Sequence, residues 1–130
     1  MQDADLGASL IARLLASLAL AGALTAPALA GGADVLDARA EPVAGGYRVS
    51  ATIRHADEGW DHYADAFEVL APDGRLLATR TLHHPHVDEQ PFTRSVNVVV
   101  PNGVRSLTVR ARDSVHGFGG AEVKIALPGR

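Results

Sequence analysis

The chain has 130 residues, 12 basic and 15 acidic, giving a formal net charge of −3 with its six histidines neutral. That length accommodates one domain once an export segment is set aside. The near balance of charge, with neither a basic stripe nor an acidic tail, argues against a nucleic-acid partner. Cysteine is absent and Met1 is the only methionine, which excludes disulfides and a sulfur-based Cu(I) site and leaves the core alone to hold the fold.

The first recognisable element is an uncharged stretch, residues 14–33, rich in Leu and Ala and broken by Thr25 and Pro27. It ends in Ala28-Leu29-Ala30, the small-x-small pattern that signal peptidase reads. A spanning helix needs about 20 apolar residues with anchoring flanks. Residues 1–30 are therefore expected to be a cleaved signal peptide, and 31–130 a mature domain with no membrane span, periplasmic or secreted. Asp3 and Asp5 against a single Arg13 depart from the usual positive leader, which a start nearer Arg13 would explain. Without cysteine these residues offer no lipid attachment site.

After Gly32 the periodicity is mostly two. The pattern predicts seven strands: 35–40, 47–55, 64–70, 75–82, 93–100, 106–112 and 121–127. Gly45-Gly46, Pro72-Asp73-Gly74 and Pro101-Asn102-Gly103 supply turn chemistry between them. Seven short antiparallel strands in about 100 residues indicate an all-β sandwich, immunoglobulin- or fibronectin-III-like in architecture, though without the Cys-Trp-Cys framework.

The first, third and fifth connections are tight turns. The second, fourth and sixth are longer: 55–63, 83–92 and 113–120. Alternate connections in such a sandwich lie at opposite ends, so the long ones should share a pole. They carry all six histidines, His55, His62, His83, His84, His86 and His116, and four of the six aromatics, Trp60, Tyr63, Phe92 and Phe118.

Strand parity aims His55, Asp65, Arg94 and Asp113 inward at that pole, where unpaired charge would cost several kcal/mol. Two readings fit this quartet. It is a structural network in which Arg94 bridges Asp65 and Asp113, or it is a support that orients imidazoles toward a metal. His62, His84, His86, Glu89 and His116 are the candidate ligands, with His84-Pro85-His86-x-x-Glu89 the densest run. Three or four such N/O donors suit Zn(II) or Cu(II). The same imidazoles could instead bond backbone groups and stiffen the loop. Trp60, Tyr63 and Phe118 could stack on a sugar or a cationic ligand, and Trp60, Phe92 and Phe118 could equally be plugs over the core. Ser114 beside Asp113 and near His116 is a poor triad, because triads are assembled from separate elements. No catalytic residue is expected.

The run from His55 to Gly120 resembles a family of small, uncharacterised, exported bacterial proteins. The resemblance rests on Gly59-Trp60-Asp61-His62-Tyr63-Ala64-Asp65, on the run from His84 through Val87, Asp88, Gln90 and Pro91 to Thr93 and Arg94, and on Arg112-Asp113-Ser114-Val115-His116-Gly117-Phe118-Gly119-Gly120. It implies a shared loop constellation and no established activity. The sequence thus supports an exported module that holds a divalent metal or small ligand at its pole. The alternatives are a metal-free interaction surface for carbohydrate or protein, closed by a structural lid, and, third, a metal-dependent hydrolase with Glu89 as base.

Overall fold

A computed structural model describes residues 31–130 of the chain; the expected signal peptide, 1–30, lies outside the described residues. Eight strands form: β1 (Asp34–Val43), β2 (Gly46–Arg54), β3 (Ala64–Leu70), β4 (Leu76–Thr81), β5 (Phe92–Val98), β6 (Ser106–Asp113), β7 (Gly117–Phe118) and β8 (Val123–Ala126). All pairings are antiparallel. One sheet has the order β1-β2-β5; in the other, β4-β3-β6 continues to β7 and β8, both paired to β6. The fourth strand lies beside the third. In a constant-type immunoglobulin domain it would join the sheet of the first, second and fifth.

The strand beyond the expected seven has a local cause. After Asp113 the chain turns tightly, so Gly117 pairs with Asp113 and Phe118 with Arg112. β8 then pairs with Ser106–Val109 further along the same edge of β6. Between them the chain leaves the edge and reaches β1 in the other sheet, where Val35 N–H donates to the Ala121 carbonyl at 2.9 Å. The Asp34 carboxylate accepts the Ala121 N–H at 2.8 Å. A Cβ on Gly120 would overlap the Ala33 carbonyl, so this crossing requires glycine.

The core lies between the sheets, and alternation builds it. β2 contributes Tyr47, Val49, Ala51 and Ile53; β6 contributes Leu107, Val109 and Ala111; Phe67, Val69, Phe92 and Val98 complete the layer. The inward row of β6 does not stop at Ala111. It ends on Asp113, whose side chain is fully buried at the pole. A register shift between Ala64 and Ala66 breaks the simple parity of β3: Ala64 is buried and Asp65 is only half-buried.

Candidate metal centre

The three long connections meet at one end of the sandwich. Ser114 N–H donates to the Tyr63 carbonyl at 2.9 Å, and the Tyr63 N–H donates to Ser114 Oγ at 3.1 Å. On the other side, the His86 N–H donates to Asp57 Oδ2 at 2.7 Å. Gln90 joins the strand end to its loop: its Oε1 accepts the His55 N–H at 3.0 Å and its Nε2 donates to the His86 carbonyl at 2.9 Å.

Asp113 is the centre of this end. Its Oδ2 faces His55 Nε2 at 3.1 Å, His62 Nε2 at 3.1 Å and His116 Nδ1 at 2.9 Å. Its Oδ1 accepts the backbone N–H groups of Val115, at 2.7 Å, and of His116. Burial alone would push the Asp113 carboxyl up. The His116 amide and ring, the His62 ring and the Val115 amide outweigh it, holding the group well below the usual carboxylate range. Asp113 therefore stays charged in the interior.

His55 is held from the other side. Its Nδ1 lies 2.6 Å from Asp57 Oδ1, and Asp57 is itself buried, with Oδ1 also accepting the Ala64 N–H at 2.9 Å. A carboxylate only accepts, so Nδ1 carries the hydrogen. That leaves Nε2 facing two further acceptors, Asp113 Oδ2 and the Gly31 carbonyl at 3.1 Å. A neutral ring would aim a lone pair at both oxygens. Nε2 is thus placed where an ion shared with Asp113 could be held. Carboxylate–imidazole–cation is also the usual arrangement behind a ligating histidine.

The surroundings of Oδ2 are compatible with the same arrangement. A carboxylate oxygen offers about two lone-pair sites, and three ring nitrogens crowd Oδ2. A tetrahedral Zn(II) site with bonds of about 2.0–2.1 Å separates its ligand atoms by roughly 3.3 Å, close to the distances from Oδ2 to each of the three nitrogens. One ligand atom each from His55, His62 and Asp113 lies within 4.8 Å of the other two. His116, the most exposed of the three imidazoles, sits at the rim.

Of the residues expected to hold a metal, His62 and His116 meet at Asp113. His86 and Glu89 gather around Arg94 instead, with His84 against His86. The Arg94 guanidinium lies 3.0 Å from His86 Nε2 and donates to Glu89 Oε1 at 3.0 Å. His86 stacks on Phe92, centroids 3.9 Å apart, and His84 lies against it at 4.6 Å. Burial, then the Arg94 charge and His84, push the His86 imidazole below its ordinary value, against the opposing pull of Glu89 and Asp57. His83 is exposed.

Within the expected quartet, His55 and Asp113 are in contact. Arg94 forms no bridge to Asp65 or Asp113; Asp65 Oδ1 lies 3.9 Å from Arg112 Nε. Trp60 is 68 % exposed and packs edge-on against Tyr63 at 5.6 Å, so it does not plug the core. Phe92 does, at 2 % exposure. Phe118 is partly exposed, with the Arg110 guanidinium 3.9 Å from its ring centroid.

The sequence alone does not single out Asp57 or Gln90. Asp57 continues the inward parity of His55, but it lies beyond the end of β2, where alternation no longer fixes the direction of a side chain. Gln90 carried no signal of its own.

Over 95 residues, 72 % of this chain, the sequence is 42 % identical to a protein of Halomicrobium mukohataei named "Putative lipoprotein". The matched region covers 46 % of that relative, so the chain spans about half its length. No family profile and no solved structure matches the chain.

Proposed function

We propose that the protein is an exported β-sandwich binding module, immunoglobulin/fibronectin-III-like in its connections, whose pole holds a divalent metal, Zn(II) or Cu(II). His55, His62 and Asp113 are the ligands, His116 joins them from the rim, and Asp57 orients His55. The reading rests on one observation: three imidazole nitrogens from two separate connections converge on one buried carboxylate oxygen. Export to the periplasm or medium is supported by the leader-like residues 1–30. The lipoprotein name belongs to the relative, and the 130 residues here contain no cysteine to lipidate. His84, His86 and Glu89 form a neighbouring polar group that stiffens the fourth connection.

Isothermal titration of the EDTA-treated, exported protein with Zn(II) and Cu(II) at pH 7.5 tests the reading. Binding with a stoichiometry of one is expected, and His62→Ala should weaken it by at least tenfold. At about 100 times the dissociation constant the metal should add about 2.7 kcal/mol of stability, roughly 10 °C or more in Tm. No heat and no Tm shift with either ion would overturn it.

The exposure of Trp60 beside Tyr63 favours a second reading of the same pole, a metal-free surface that stacks on a sugar or a protein partner. Under it, Trp60 fluorescence responds to an oligosaccharide panel equally with and without EDTA.

A further inference from the structure

We propose that cleavage after Ala30 makes a ligand for the pole: the new α-amino group of Gly31 joins the His55–His62–Asp113 cluster. The inference rests on the metal reading above and adds a donor that no side chain supplies.

Gly31 is exposed, yet it lies against the cluster. Its carbonyl oxygen is 3.1 Å from His55 Nε2. A Cβ built on it would lie 3.1 Å from His116 Cε1 and 3.6 Å from each nitrogen of that ring. The Gly31 Cα thus lies between a carbonyl that meets His55 and a Cβ position that meets His116, two imidazoles that face Asp113. The conformation, φ +84°, and the missing side chain both favour glycine here. Gly32 fixes the approach, because a Cβ on it would lie 2.8 Å from the Gly120 nitrogen.

The Gly31 nitrogen is one bond, about 1.46 Å, from that Cα. While the chain continues into residue 30 this nitrogen is a planar amide, its lone pair delocalised into the carbonyl. Hydrolysis by signal peptidase changes its chemistry. The hydroxyl of water goes to the Ala30 carbonyl carbon and the proton to the Gly31 nitrogen, leaving a carboxylate on the released peptide and an amine on the mature chain. The free amine has a nitrogen lone pair that a metal ion can take in exchange for a proton. Together with the Gly31 carbonyl oxygen it can close a five-membered chelate ring on an ion held by His55. Ala28 and Ala30 meet the small-residue requirement of cleavage, and Gly31 meets the tight fit beside His116. A precursor chain would hold its metal weakly, and processing would complete the site.

The test uses protein exported and processed by a bacterial host, carrying Lys124→Arg so that the α-amine is the only acetylatable amine. Mass spectrometry should find Gly31 at the N-terminus. Acetylation should weaken Zn(II) and Cu(II) binding about tenfold or more, change the Cu(II) electron paramagnetic resonance spectrum through loss of a nitrogen donor, and leave the metal-free Tm unchanged. Equal affinity and identical spectra for the free and acetylated forms, or a mature N-terminus elsewhere, would overturn the inference while leaving the histidine site standing. If neither form binds either ion, the metal reading itself falls and this inference with it.

Discussion

Asp113 shows how one residue can be both a cost and a fastening. Burying a lone carboxylate is unfavourable by several kcal/mol, yet this one accepts two backbone amides and faces three imidazoles from the second and sixth connections. Removing the charge while keeping the shape therefore removes the reason those rings converge. Asp113→Asn should lower the unfolding free energy of the metal-free protein by about 3 kcal/mol, read from the urea midpoint, and should abolish the metal-dependent rise in Tm. An unchanged midpoint would mean that the imidazoles do not depend on this carboxylate. The residue was legible in the sequence because Leu107, Val109 and Ala111 set a parity that it continues. Its partners were legible only in part. Parity aimed Arg94 toward the same place, but a long flexible side chain at a strand edge is steered by its nearest charge, and Glu89 holds it at the neighbouring loop.

Among the elements, the split edge of β6 is the feature that alternation could not foresee. The sequence shows Gly117, Gly119 and Gly120 and suggests a loop. The structure uses that freedom to form the two-residue β7, leave the sheet, and touch β1 before β8 begins. Gly120→Ala should be costly, because the added methyl meets the Ala33 backbone rather than a movable side chain. A loss of about 2 kcal/mol is expected, roughly 10 °C in Tm for a domain of this size. Calorimetry of the variant with and without metal checks it, and an unchanged Tm would show that the crossing can relax. The bulge in β3 is the other departure from simple alternation: one extra residue rotates Asp65 away from the place its parity assigned.

At the scale of the whole molecule, the sandwich is asymmetric from end to end, with tight turns at one pole and the buried polar network at the other. That network ties stability to pH. His86, pushed below its ordinary value of 6.5, binds protons less readily folded than unfolded, so stability falls as pH drops below about 6.5. Asp113, held far below its ordinary 3.8, keeps its contribution until the pH falls below that value, and then loses it progressively. Metal-free protein followed by urea unfolding should therefore weaken in two stages, and His86→Phe should flatten the upper one. An upper stage unchanged in that variant would assign it to another histidine. By itself the sequence determined the all-β class, the position of most strands and the gathering of histidines on alternate connections, because period-two burial and turn chemistry are local properties. Only the tertiary structure decided which imidazoles meet, and that Asp57, Gln90 and the Gly31 carbonyl stand beside them. Loop side chains answer to hydrogen-bond partners brought from distant parts of the chain, and those distances exist only once the two sheets have closed.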